Sequence, residues 1–68
     1  MNFANRLKEI RTTNGVSQEK LAKQINVTQG MISQWEKGLC EPTATNICKI
    51  ADFFGICTDY LLGRQDWY

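Results

Sequence analysis

Apolar residues recur along the chain at helical spacing. Phe3, Leu7 and Ile10 fall on one face of a first helix, expected over about Asn2 to Thr13. Asn14 and Gly15 then stop it, since both residues tolerate positive φ. Leu21, Ala22 and Ile25 make the buried face of a second helix. Ser17 is its natural N-cap, because a hydroxyl there satisfies a free N–H of the first turn. The capping box is incomplete: Lys20 stands where Glu or Gln would reach back. Asn26 is the expected break, Asn being second only to Gly in the left-handed region. Thr28 caps a third helix that runs to about Lys37, with Ile32 and Trp35 inward and Met31 at the edge. Gly38 ends it.

The loop "LCEP" follows, holding Pro42, the single proline. Thr43 caps a fourth helix whose stripe is Ile47, Ile50, Ala51 and Phe54, and Gly55 stops it. A short fifth helix, about Thr58 to Leu62, closes on Gly63. No segment alternates as a strand does, and no hairpin turn separates β-rich runs. The expected fold is therefore all-α, a compact five-helix bundle over residues 1–63 with a C-terminal tail at 64–68.

Length and charge narrow this further. At 68 residues the chain holds one domain. A domain of that size buries only about 60% of its unfolded surface, so its core must be efficient or helped by a partner. The formal net charge is +1, which by itself says nothing for nucleic acid. Any basic surface must arise from the placement of Arg6, Lys8, Arg11, Lys20, Lys23, Lys37, Lys49 and Arg64. The three cysteines, at 40, 48 and 57, are odd in number and not closely spaced, which argues against a disulfide scaffold. There is no histidine and no Cys-x-x-Cys, so neither a metal nor another cofactor is expected. Reduced thiols, with no signal peptide and no membrane-length apolar run, point to a cytoplasmic protein.

Helices two and three are joined by about three residues, which forces a steep crossing. Ala22 suits it, since a larger side chain would push the backbones apart. That is helix-turn-helix geometry, although spacing alone does not separate it from an ordinary helical hairpin. The ordered residues are more specific. Gln18 and Glu19 open the unit; Leu21, Ala22, Ile25, Asn26, Val27, Ile32 and Trp35 follow. "RLKEIR" precedes them, and "WEKG", Pro42, "ICKIADFFGI" and "DYLLG" come after. This series, from about Arg6 to Gly63, resembles the helix-turn-helix family of the phage lambda and 434 repressors and Cro, the XRE family. Asn26 departs from it, standing where the family usually has Gly.

The resemblance implies that helix three lies in the major groove of double-stranded DNA and reads base edges with its N-terminal residues. The outward face there carries amides rather than lysines. A glutamine can pair with both N6 and N7 of adenine, whereas a lysine holds phosphate and specifies little. By position Gln29 and Gln34 match base-reading residues, with Thr28, Gly30 and Ser33 beside them. The plainer alternative is a solvated polar face. Gly30 is a second departure, because family members often carry a polar side chain there.

Ser17 and Gln18, at the start of helix two, are implied to face the sugar-phosphate backbone, with Gln18 bracing Gln29. Lys37, and the backbone near Leu39 and Cys40, would hold the next phosphates, while Glu41 repels them. Arg11 and Glu36 are implied to pair across helices one and three, leaving an Arg11 N–H for phosphate. Trp35 falls on the Ile32 side and is core. So little excess positive charge predicts few phosphate contacts and a shallow salt dependence.

A single recognition helix reads a handful of base pairs, and two-fold dimers extend this to half-sites about 34 Å apart. The resemblance puts the dimer contact around helix five: Cys57, Thr58, Asp59 and Tyr60, with Phe53 close by. Trp67 and Tyr68 add apolar surface at the tail or fold back over the core. Cys57 stands where the family often has a Ser cap, so helix five is expected to start less firmly. A weak homodimer that tightens on DNA follows.

The function expected is a sequence-specific DNA-binding transcriptional regulator, a repressor on an inverted-repeat operator. The alternative is an antitoxin or protein-interaction module, but no disordered arm for wrapping a protein partner is visible. An enzyme is set aside, for the chain has no histidine, no paired carboxylates on one face and no phosphate-cradling loop. The opening Met fits a true N-terminus, while the end at "DWY" leaves open a longer regulator.

Overall fold

The computed structural model describes residues 2–64. Five helices follow in chain order: α1 (Phe3–Thr13), α2 (Gln18–Ile25), α3 (Gln29–Glu36), α4 (Ala44–Phe54) and α5 (Thr58–Leu61). Among the described residues there is no strand. The expected boundaries hold to within one residue. Asn2 caps α1 from outside it, Lys37 lies just past α3, and Leu62 is the C-cap of α5.

The N-termini form where short polar side chains accept backbone N–H bonds. Asn2 Oδ1 accepts from Asn5 N at 3.0 Å, Ser17 Oγ from Lys20 N at 3.0 Å, Thr28 Oγ1 from Met31 N at 3.2 Å and Thr43 Oγ1 from Asn46 N at 3.2 Å. Each supplies one of the bonds a helix start lacks. Helix α5 makes no such bond to the side chain of Cys57. A thiol is a poor acceptor, so α5 starts without the side-chain cap bond that the other four helices have.

The C-termini share one device. A left-handed residue turns the chain, and the next N–H bonds back to the carbonyl five residues earlier. These bonds run from Val16 N to Arg11 O (3.0 Å), Val27 N to Ala22 O (2.9 Å), Leu39 N to Gln34 O (2.9 Å), Ile56 N to Ala51 O (3.0 Å) and Arg64 N to Asp59 O (2.8 Å). The turning residue is Gly15 rather than Asn14, whose φ is −90° and whose side chain instead donates to Ile10 O at 2.7 Å. At the second stop Asn26 takes φ 61°, the one positive φ on a non-glycine among the described residues.

The core is built from all five helices. Leu7, Leu21, Ile32, Trp35, Ile50 and Leu61 are its largest fully buried side chains, with Ile10, Val16, Ala22, Ile25 and Ala51 around them. Phe3 meets Trp35 edge-on at 6.5 Å, while Ile47 and Phe54 only half-bury against this cluster. Trp35 is core, as its spacing predicts. One cation joins the interior: Arg6 is 7% exposed, with its guanidinium 4.1 Å from the ring centre of Tyr60. It therefore contributes nothing to any basic surface. Its stem packs and its charge lies against an aromatic face, a combination that favours Arg burial.

Candidate nucleic-acid interface

Helix α2 and helix α3 are linked by residues 26–28 only, and α3 packs against both α1 and α2. Ala22 is buried where α2 meets its neighbours, and its carbonyl takes the closing bonds from Asn26 and Val27. With Ile32 and Trp35 held inside, the helical period turns Gln29, Gly30, Gln34 and Lys37 outward, and all four are exposed. Ser33 is half-buried on the same helix.

Behind this face lies a linked set of polar side chains. Arg11 and Glu36 pair across α1 and α3 in a fork: Arg11 Nε donates to Glu36 Oε2 at 2.6 Å, and Nη2 to Oε1 at 3.0 Å. The third nitrogen, Nη1, donates to Val16 O at 2.8 Å and ties the α1–α2 turn to the pair. The two side chains are 12% and 5% exposed. The bond to Glu36 raises the Arg11 pKa above its ordinary value, against the opposing effect of burial. The expected ion pair is therefore present, and all three Arg11 nitrogens are engaged in it or at Val16.

Gln18 extends the set. Its Nε2 donates to Glu36 Oε1 at 3.1 Å, and its Oε1 accepts from Gln29 Nε2 at 3.4 Å. The brace expected between Gln18 and Gln29 is there, and the carboxylate behind it had no signal in the local sequence. Gln34 is held differently. The Cys40 thiol donates toward Gln34 Oε1 at 3.5 Å and lies 4.0 Å from Met31 Sδ. The Cys40 backbone was expected beside the phosphates and Met31 at the edge of α3, but the thiol contact to Gln34 was not expected, and a loop cysteine gives no periodic cue to it. Leu39, 72% exposed, directly precedes Cys40 in the chain.

Ser17 and Thr28 are exposed, and each uses its oxygen as a cap acceptor, leaving the hydroxyl hydrogen for another partner. With Arg6 buried and Arg11 paired, the exposed cations are Lys8, Lys20, Lys23, Lys37, Lys49 and Arg64. Around α5, Cys57 and Asp59 are exposed, whereas Thr58 and Tyr60 are half-buried, with one face of the Tyr60 ring over Arg6. Phe53, 36% exposed, packs edge-on to Phe54 at 4.9 Å. Trp67 and Tyr68 lie outside the described residues. Among the described residues, no group of three or more acidic or Cys side chains gathers as metal ligands would, and no helix is long and apolar enough to cross a membrane.

A sequence profile described as helix-turn-helix matches residues 7–61, from Leu7 in α1 to Leu61 in α5. The chain belongs to the helix-turn-helix family. The resemblance to lambda-repressor-like, XRE-type domains is borne out by this match and by solved structures. The P22 c2 repressor in complex with a synthetic operator superposes with a TM-score of 0.88 at 28% identity, over 96% of this chain and 98% of that one. The restriction-modification controller C.AhdI of Aeromonas hydrophila gives 0.82 at 33% identity, over 88% and 91%. Among curated helix-turn-helix relatives, the transcriptional regulator ImmR of Bacillus subtilis is 30% identical over 97% of this chain, which spans 52% of ImmR. An uncharacterised HTH-type transcriptional regulator of Methanocaldococcus jannaschii is 40% identical over 91% of this chain, with 94% of its own length matched. Both of these relatives are named as HTH-type transcriptional regulators.

Proposed function

We propose that this chain is a sequence-specific DNA-binding transcriptional regulator that lays α3 in the major groove. The observation that carries the reading is the exposed amide pair of α3. Gln29 is braced by Gln18 and Gln34 is approached by the Cys40 thiol, so two uncharged bidentate groups are oriented rather than loose. Solvated surface glutamines have no need of such bracing, while base readers do, because a bidentate pair tolerates little angular error.

In this reading Gln29 and Gln34 read base edges, with Thr28, Gly30 and Ser33 lining the same groove. The Ser17 hydroxyl, the spare N–H of Gln18, Lys37 and an outer N–H of Arg11 hold phosphates. The operator is an inverted repeat bound by a weak homodimer, with Cys57, Thr58, Asp59 and Tyr60 at the contact, and the outcome is repression in the cytoplasm. The P22 repressor's complex with its operator supports the groove assignment, since the two folds superpose over nearly their whole lengths.

Selection from a randomised duplex pool tests the reading. An enriched inverted repeat with half-sites about 34 Å apart is the expected result. A pool that stays random, with only salt-sensitive binding, would overturn it. Sedimentation with and without a palindromic duplex tests the dimer, which a strict monomer in both conditions refutes.

A further inference from the structure

The polar set behind α3 has a direction. Glu36 is forked onto Arg11, and both its oxygens accept, Oε2 from Arg11 Nε and Oε1 from Arg11 Nη2. The group of Gln18 that faces Glu36 Oε1 at 3.1 Å must therefore be the amide nitrogen. That choice turns the Gln18 oxygen toward Gln29, and an oxygen there requires the nitrogen of Gln29, at 3.4 Å. One N–H of Gln29 is thus spent on Gln18. The remaining N–H and Oε1 form the outward edge in one fixed order.

We propose that Glu36 is a specificity-positioning residue. Through Gln18 it sets which end of the Gln29 amide is donor and which is acceptor, and hence makes Gln29 select adenine. This rests on the DNA-reading function proposed above. Adenine offers a donor at N6 and an acceptor at N7, so it accepts a glutamine in one order only. A reversed amide sets donor against donor at N6 and acceptor against acceptor at N7. An unpolarised Gln18 would satisfy either order of Gln29, since an amide both donates and accepts. The carboxylate is the one group in the chain of bonds that cannot reverse. The Glu36 side chain is 5% exposed and lies behind Gln18, so it acts wholly through Gln18.

Two variants separate polarity from mere packing. Glu36→Gln keeps the side-chain shape and removes the fixed acceptor. Gln18→Met keeps the Arg11–Glu36 pair and cuts the relay, which covers the case in which Glu36→Gln folds poorly. In the free protein, the side-chain 15N–1H resonances of Gln29 are expected to shift in both variants. On duplexes carrying the selected half-site, both are expected to lower the preference for adenine at the Gln29 base pair by about fivefold, roughly the worth of one net hydrogen bond. Preference at the Gln34 base pair should stay as it is. Equal weakening on every duplex, or unchanged Gln29 resonances, would overturn the proposal and leave Glu36 a structural partner of Arg11. The two levels fail differently. A wild-type chain without base preference overturns the DNA reading itself, whereas a wild-type preference that survives both variants overturns only the relay.

Discussion

Replacing Gly30 with alanine sets helix stability against groove fit. Gly30 is the second residue of α3 and exposed, and its φ is not in the left-handed region. A Cβ built there meets only Thr28 Oγ1, at 3.9 Å, an ordinary van der Waals contact. Nothing inside the protein therefore opposes a methyl group. Alanine gains up to about 1 kcal/mol over glycine in a helix interior, and less in a first turn, where fewer dihedrals are already fixed by bonds. About 0.5 kcal/mol is the working figure. For a domain of this size that raises the melting temperature by roughly 3 °C.

On DNA the sign reverses. The methyl is added on the exposed start of α3, the part that the proposed docking assigns to base edges. Affinity for the selected operator should fall by about tenfold, the cost of moving a close-packed contact by a few tenths of an ångström. Thermal denaturation by circular dichroism and a fluorescence-anisotropy titration on one duplex read the two effects separately. A lower melting temperature would refute the claim that the site is open on the protein side. Unchanged or tighter binding would refute the groove register, because α3 would then meet DNA without its backbone coming near at residue 30.

Three further outcomes follow from the same geometry. Gln34→Ala should reduce discrimination at one base pair by about 1–3 kcal/mol with little loss of nonspecific binding, measured by competition among duplexes; equal loss on all sequences would show that Gln34 does not read bases. Cys57→Ser supplies the missing acceptor at the start of α5 and should stabilise the fold by about 0.5–1 kcal/mol in urea melts. An unchanged midpoint would mean that α5 is held by Leu61 and its packing alone. Asn26→Ala forces a Cβ-bearing residue without a local hydrogen-bonding side chain to hold φ 61°, and should cost about 1 kcal/mol; a neutral result would mean that the link between α2 and α3 relaxes out of the left-handed region.

What could be read from the sequence was what local chemistry decides. Ser17, Thr28 and Thr43 each precede an apolar helical stripe, and each accepts the N–H three residues on. Asn26 was placed as a left-handed stop because few other residues tolerate that φ. The Arg11–Glu36 pair was legible only through family resemblance, since the two residues are 25 apart in sequence. The burial of Arg6 is not legible from its type, because a cation in an amphipathic helix reads as surface. Its position three residues after Phe3 and four before Ile10 put it on the core stripe, and the Tyr60 ring that shelters it lies at the other end of the chain. The contact of the Cys40 thiol with Gln34 depends on how the loop after α3 folds back, which no periodicity encodes.

The outward amides of α3 make sense only together with what stands behind them. A lysine on that face would have bound phosphate from many poses and needed no support. A glutamine discriminates only if its two ends are told apart, and rotation by half a turn exchanges them at little intrinsic cost. The fold meets that requirement with a single buried carboxylate. Arg11 holds Glu36 in place through two bonds, and also ties down the Val16 carbonyl at the entry to α2, so the turn that aims Gln18 and the acceptor that faces it are secured by one guanidinium. An ion pair of this kind adds little to stability after desolvation is counted. Its value lies in direction, for a purely apolar contact between α1 and α3 would hold the helices equally well and leave the Gln29 amide free to turn.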